Sequence, residues 1–179
     1  SVLSGTFSAG VSGWPLTHAD VGGYTSINAV VKNYVRSPEL LTRWGELAAF
    51  GVVMRSHEGN RPAENRQVYD DDEAAEFARN SKIFAALSSY REAVIHEALT
   101  TGVPAIRHAW LEVPESKAAK LDTQFFFGSD VFVAPVLKAG VTKVDVTLPP
   151  GEWVHLFTGE KVAGDQRMKV DAPLGQPAA

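Results

Sequence analysis

Ser37-Pro38-Glu39-Leu40-Leu41 runs through Leu47-Ala48-Ala49-Phe50-Gly51 into Val52-Val53-Met54, and then into Arg55-Ser56-His57-Glu58-Gly59-Asn60-Arg61-Pro62. Serine can cap a helix, proline is tolerated at the first helical position, and glutamate complements the positive end of the helix dipole. Leu40, Leu41, Trp44, Leu47 and Ala48 recur at helical spacing up to Phe50, and Gly51 is the expected stop. Val52-Val53-Met54 is then a short apolar strand, and the polar run after it is a loop. This order of helix, strand and polar loop is that of a parallel α/β unit, in which ligands bind at the carboxyl ends of strands.

Upstream, Trp14-Pro15-Leu16-Thr17-His18-Ala19-Asp20 reads as a second extended segment. It leads into the turn Val21-Gly22-Gly23-Tyr24, whose paired glycines can take positive φ. Residues 1–13 are rich in Ser and Gly, which suits either a small-residue helix packed closely on a sheet or an irregular lead-in. Residues 72–101 carry a wide apolar helical face that includes Phe77, Ile83, Phe84, Leu87, Tyr90, Val94 and Ala98. Ser88-Ser89 weakens its middle and Gly102 is a plausible stop.

Beyond Gly102 the period changes. Residues 103–113, 124–127, 131–137, 143–148, 153–157 and 168–170 are short β-like runs punctuated by Pro, Gly and Asp. The fold class is therefore α/β followed by all-β, with a boundary near 102–104. Residues 1–102 end an α/β domain and residues 103–179 form an antiparallel β domain.

Composition narrows the function classes. The chain has 179 residues, 45% hydrophobic and 21% charged, with 17 Lys+Arg against 21 Asp+Glu and a net charge of -4. A general nucleic-acid binder would carry a basic stripe, so nucleic acid is not an expected partner. With no cysteine there are no disulfides or thiolate metal sites. No apolar run approaches the ~20 residues that span a bilayer and no signal-like segment opens the chain, so a soluble protein without a membrane partner is expected. The start at Ser1 without Met, and the end at Gln176-Pro177-Ala178-Ala179, are the pattern of a piece cut from a longer chain.

Polar groups concentrate in the two loops: His18, Asp20 and Tyr24 in one, and Arg55, His57, Glu58, Asn60 and Arg61 in the other. Asp20 and Glu58 could form a hydrolytic pair with His57 as acid or base, or could be ordinary turn-capping and salt-bridged residues. His18, Asp20 and His57 could ligate a metal, but they lack compact ligand spacing. Asp70-Asp71-Asp72-Glu73 lacks the glycine and closing glutamate of a calcium loop and reads as the acidic start of a helix. His96, His108 and His155 read as structural, and Gly22-Gly23 lacks the pattern of a phosphate loop.

Several motifs, in order along the chain, resemble glycoside hydrolase family 31, the α-glucosidase and α-xylosidase family. They are His18-Ala19-Asp20-Val21-Gly22-Gly23-Tyr24-Thr25, Arg43-Trp44, the run from Met54 to Pro62, the run from Asp122 to Val136, and Leu148-Pro149-Pro150-Gly151-Glu152-Trp153 with Phe157-Thr158-Gly159. Within the family, Gly22-Gly23-Tyr24-Thr25, His57-Glu58-Gly59-Asn60-Arg61-Pro62 and the closing residues 170–177 are most similar to the sulfoquinovosidases, which hydrolyse α-glycosides of 6-deoxy-6-sulfoglucose.

The resemblance implies the last part of a (β/α)8 TIM barrel, followed by an antiparallel β-sandwich. It implies a retaining α-glycoside hydrolase, cytoplasmic and without a cofactor, with a small-molecule glycoside as substrate. An α-glucosidase or α-xylosidase, or a non-catalytic carbohydrate-binding or assembly module, are the alternatives. By the same resemblance His57 binds sugar hydroxyls, Asp20 lines the pocket and Tyr24 helps to bind the sulfonate. An imidazole suits a diol edge because it can donate one hydrogen bond and accept another. A phenol beside glycine N–H groups suits a permanent anion.

The nucleophile and the acid/base carboxylate are expected on earlier barrel strands, so no catalytic residue is expected in this chain and the chain alone is expected to be inactive. A partial barrel leaves strand edges and helix faces unpaired, so association with itself or with the rest of the barrel is expected. Two features depart from the sulfoquinovosidase pattern: extra residues at 28–33, and Leu87-Ser88-Ser89-Tyr90-Arg91 in place of a Pro-Tyr-Leu core motif.

Overall fold

The computed structural model describes residues 2–179, and its elements follow the sequence logic closely in the first half. Helix α1 (Val2–Val11) takes the helical reading of the Ser/Gly-rich start, burying Leu3, Phe7 and Gly10. Gly10 is required there because a Cβ would lie 2.9 Å from the Pro104 ring. A short hairpin, β1 (Ile27–Asn28) with β2 (Asn33–Tyr34), occupies the extra residues. Its tip carries the fully exposed Val30 and Val31.

Helix α2 (Pro38–Ala48) begins as expected, with the Ser37 hydroxyl accepting from the Leu40 N–H at 3.2 Å. The helical run of residues 72–101 is two helices, α3 (Asp71–Ala86) and α4 (Ser88–Thr101). They are broken at Leu87, beside the Ser88-Ser89 pair. Gly102, in the left-handed region, closes α4.

The strands before the two polar loops are a correction. Residues 14–20 and 52–54 belong to no strand. The residues just after them meet in one parallel bridge, Val21 with Ser56, where the Val21 N–H donates to the Arg55 carbonyl at 2.8 Å. A parallel strand pair is slightly weaker per residue than an antiparallel one and is normally covered on both faces.

The second half is mixed rather than all-β. β3 (Ile106–His108) is followed by a short helix, α5 (Ala109–Glu112), where the sequence pattern suggested one continuous strand. The His108 ring explains the switch, because Nδ1 accepts from the Trp110 N–H at 3.2 Å and caps α5. After a 3-10 turn at Lys117–Lys120 come β4 (Phe125–Phe127), β5 (Val131–Val133), β6 (Lys143–Thr147), β7 (Glu152–Val154), β8 (Lys161–Ala163) and β9 (Arg167–Asp171). All pairings are antiparallel: β3-β4-β5, β6-β9 and β7-β8.

One core crosses the boundary that the change of period places at 102–104. Leu3, Phe7, Phe50, Val94 and Ala98 from the helical half pack with Ile106, Phe125, Phe127 and Val133 from the first sheet. A second core gathers Phe126, Phe132, Ala134 and Val146 under Trp153.

Polar ties also cross the boundary. The buried Arg43 of α2 donates to the carbonyls of Val141 at 2.9 Å, Ala172 at 2.9 Å and Pro173 at 3.2 Å, and to both oxygens of Glu46. Glu46 in turn accepts from the Gly175 N–H at 2.7 Å. Burial pushes the Glu46 carboxyl up, and its hydrogen bonds with Arg43 oppose that shift. Among the described residues, no helix is long and apolar enough to cross a membrane.

Candidate substrate-binding site

The Val21–Ser56 bridge places the two polar loops side by side. Gly22 and Gly23 take φ of 81° and 76°, a backbone that side chains with a Cβ rarely adopt. Tyr24 follows them, half exposed. Its carbonyl accepts from the Asn60 N–H at 3.1 Å, which joins one loop to the other. Asn60 also closes a reciprocal pair with Ser26: the Ser26 N–H donates to Oδ1 at 2.8 Å, and Nδ2 donates to the Ser26 carbonyl at 3.1 Å.

Tyr24 and His57 are brought into contact, with ring centroids 4.9 Å apart and planes at 76°. Gly59 makes this approach feasible. A Cβ there would lie 2.8 Å from the Tyr24 carbonyl oxygen and 2.7 Å from the Asn65 amide nitrogen, at φ of +85°. The His57 ring is fixed by the Gly59 N–H, which donates to Nδ1 at 3.1 Å. With Nδ1 engaged as acceptor, the neutral ring carries its proton on Nε2 and can donate outward. The Nδ1 that a two-way role toward a diol would use is thus occupied within the chain. A second correction concerns the glycine donors, since the Gly23 N–H is committed to the Asp20 carbonyl at 2.8 Å.

Asp20 sits on the same loop, mostly buried, at the parallel bridge. Its Oδ1 accepts from Arg55 Nε at 2.8 Å and Nη2 at 2.7 Å, and lies 3.9 Å from His18 Nε2. Glu58 faces elsewhere, with its Oε1 accepting from the Tyr69 hydroxyl at 3.1 Å. The Tyr69 hydroxyl is pushed up by desolvation first, and then by that bond. The Asp20–Glu58 hydrolytic pairing is therefore replaced by two separately engaged carboxylates. Among the described residues, no group of three or more His, Asp or Glu is placed to hold a metal ion. Asp70 to Glu73 open α3 and draw in Arg66, which lies 3.4 Å from Asp70, 2.8 Å from Asp72 and 3.6 Å from Glu73.

Sequence reasoning missed Arg36, which is only 4% exposed. Its guanidinium donates to the carbonyls of Val21 and Gly23 at 3.3 Å each, His57 at 2.7 Å, Glu58 at 3.1 Å and Arg66 at 2.6 Å, and to the Gln67 amide oxygen at 2.8 Å. The available signal was an arginine placed just before a helix cap, downstream of a glycine pair. Gly22 is explained from the arginine side, because a Cβ there would lie 2.1 Å from Arg36 Cδ.

Comparison with known proteins identifies the family. The model of the glycosyl hydrolases family 31 TIM-barrel domain matches residues 1–87, and that of the family 31 C-terminal domain matches residues 102–178. The chain is 42% identical to a sulfoquinovosidase of Agrobacterium fabrum, over 99% of this chain and 27% of that protein. It is 37% identical to a sulfoquinovosidase of Escherichia coli, over 99% of this chain and 26% of that protein. A solved structure of a family 31 sulfoquinovosidase from E. rectale, in complex with an aza-sugar inhibitor, superposes with a TM-score of 0.92 at 39% identity. That match covers 99% of this chain and 26% of the solved one. The chain thus spans about a quarter of the length of these relatives. With both family domains matched in order along it, the chain belongs to glycoside hydrolase family 31.

Proposed function

We propose that this chain supplies one wall of the sugar pocket in a retaining α-glycoside hydrolase that acts on α-sulfoquinovosides. In this reading residues 1–102 close the (β/α)8 barrel and residues 103–179 belong to the β-sandwich that follows. Tyr24 donates its hydroxyl toward the sulfonate, His57 donates from Nε2 to a sugar hydroxyl, and Asp20, held by Arg55, lines the pocket. The observation that supports the reading is the edge-to-face contact of Tyr24 with His57, which puts a phenol and an imidazole side by side. A sulfonate is an anion at every physiological pH, so its receptor needs donors that persist without titrating near neutrality. A phenol meets that need.

The reaction needs two carboxyl groups about 5–5.5 Å apart, one attacking the anomeric carbon and one protonating the leaving oxygen. Asp20 is tied to Arg55 and Glu58 to Tyr69, and neither is assigned to that work. The nucleophile and the acid/base are assigned to other strands of the barrel.

The test is kcat/KM of the full-length protein on nitrophenyl α-sulfoquinovoside beside the matching α-glucoside and α-xyloside. Preference for the sulfonated substrate is expected. Equal or better hydrolysis of the glucoside or xyloside would overturn the sulfonate reading.

A further inference from the structure

Among the described residues, no carboxylate meets the guanidinium of the buried Arg36. Burial lowers its pKa, and the charges of Tyr69 and Asp70 oppose that shift. Every hydrogen bond it makes ends on a neutral oxygen, and these oxygens come from three separate stretches of chain. Val21 and Gly23 belong to the Tyr24 loop, His57 and Glu58 to the His57 loop, and Arg66 and Gln67 to the segment that returns toward α3.

We propose that Arg36 is a positioning residue for glycoside binding: its guanidinium fixes the separation of the two loops so that the Tyr24 hydroxyl and the His57 ring meet the same sugar. The proposal rests on the reading of those two side chains as the sugar wall, and extends it to a residue that faces no ligand.

The shape of the group explains why arginine is needed. A planar fork with five N–H donors can reach both loops and the returning segment together, whereas a lysine offers one nitrogen with three donors. The loop chemistry is matched to it. Gly22 leaves room for the Arg36 stem, and Gln67 places its amide oxygen 2.8 Å from Nη2 while its amide nitrogen, Nε2, donates to the Glu58 and Pro62 carbonyls at 3.1 and 3.0 Å. The Arg36 N–H itself donates to Asn65 Oδ1 at 3.1 Å, and that same oxygen accepts from the Ser26 hydroxyl. Removing the fork therefore withdraws the ties it makes to both loops, leaving the Val21–Arg55 and Asn60 bonds between them and both of the proposed sugar-wall side chains in place.

The test is steady-state kinetics on the full-length enzyme, with kcat normalised to titrated active sites, comparing wild type, Arg36→Lys, Tyr24→Phe and the double variant. Arg36→Lys is expected to raise KM at least tenfold on the glycoside that the wild type prefers, while kcat per active site changes less than threefold. In the Tyr24→Phe background the further rise in KM on the sulfonated substrate is expected to be smaller than in the wild-type background, because only the share acting through His57 remains. A lower active fraction with KM within twofold of wild type, or fully additive effects, would overturn the proposal. If Arg36→Lys does not fold, Gln67→Leu decides: a KM rise of twofold or more is expected, and an unchanged KM overturns it. A wild-type preference for the glucoside would remove the sulfoquinovoside reading, and the KM shift measured on the glucoside would still judge Arg36.

Discussion

The rings of Tyr24 and His57, carried on separate loops, meet edge to face with centroids 4.9 Å apart. Such pairs contribute about 0.5–1.5 kcal/mol beyond area burial, and each ring restricts the other before a ligand arrives. On the proposed reading, His57→Ala removes a donor to the sugar and the support of the Tyr24 ring together. The expected loss in kcat/KM of the full-length enzyme is about 100-fold on both the sulfoquinovoside and the glucoside. A loss confined to one substrate would contradict a shared role.

The Arg43–Glu46 pair joins α2 to residues 172–175, so its value is structural. Arg43→Met leaves Glu46 buried beside the Gly175 N–H alone, and removal of one member of a buried pair costs roughly 3–5 kcal/mol. Urea denaturation of the full-length enzyme is expected to show that loss. The double variant Arg43→Met with Glu46→Met is expected to recover part of it, because no buried charge is then left alone. A double variant less stable than Arg43→Met would contradict this account.

His108 makes a pH-dependent cap. Burial holds its imidazole below the usual value, against a weaker pull from Asp122, and Nδ1 must be unprotonated to accept from Trp110. The folded state therefore binds fewer protons than the unfolded state below about pH 6.5, the ordinary histidine value. The contribution to stability is present above that pH and is lost as pH falls through the depressed pKa. His108→Asn keeps a capping side chain without titrating. Its denaturation midpoint is expected to fall less than that of wild type between pH 7.5 and 5.5, and parallel curves would refute the cap's titration.

The chain by itself carries the proposed sugar wall without assigned catalytic carboxylates. A purified 179-residue chain is expected to give no measurable turnover of nitrophenyl α-sulfoquinovoside. It is also expected to scatter light as an assembly rather than as a 19.3 kDa monomer, because Trp14, Val30, Val31 and Leu99 are exposed. Turnover, or a monodisperse monomer, would contradict these expectations separately.

Much of the helical half was legible because its signals are local. The Ser37-Pro38-Glu39 cap and the positive φ of Gly22 and Gly23 each depend on neighbours within a few residues. The placement of Tyr24 and His57 on polar loops was also legible, and their mutual contact was not, since it depends on Gly59 and on a parallel bridge between distant segments. The strand reading of residues 103–113 failed at His108, where a side-chain cap turns an apolar run into helix α5. The shared core of Phe50 and Val94 with Phe125 and Phe127 hid from a reading that changes period at Gly102. Arg36 carried only the faint signal of its place before the Ser37 cap, because most of its guanidinium bonds end on backbone carbonyls, which leave no trace in residue identities.

The most direct measurement is the ratio of kcat/KM on nitrophenyl α-sulfoquinovoside to that on the α-glucoside, for the full-length enzyme and its Tyr24→Phe variant. Loss of one hydrogen bond to an anion, about 1.5 kcal/mol, lowers the ratio roughly tenfold while activity on the glucoside is retained. An unchanged ratio, with both activities falling together, would show that Tyr24 does not read the sulfonate.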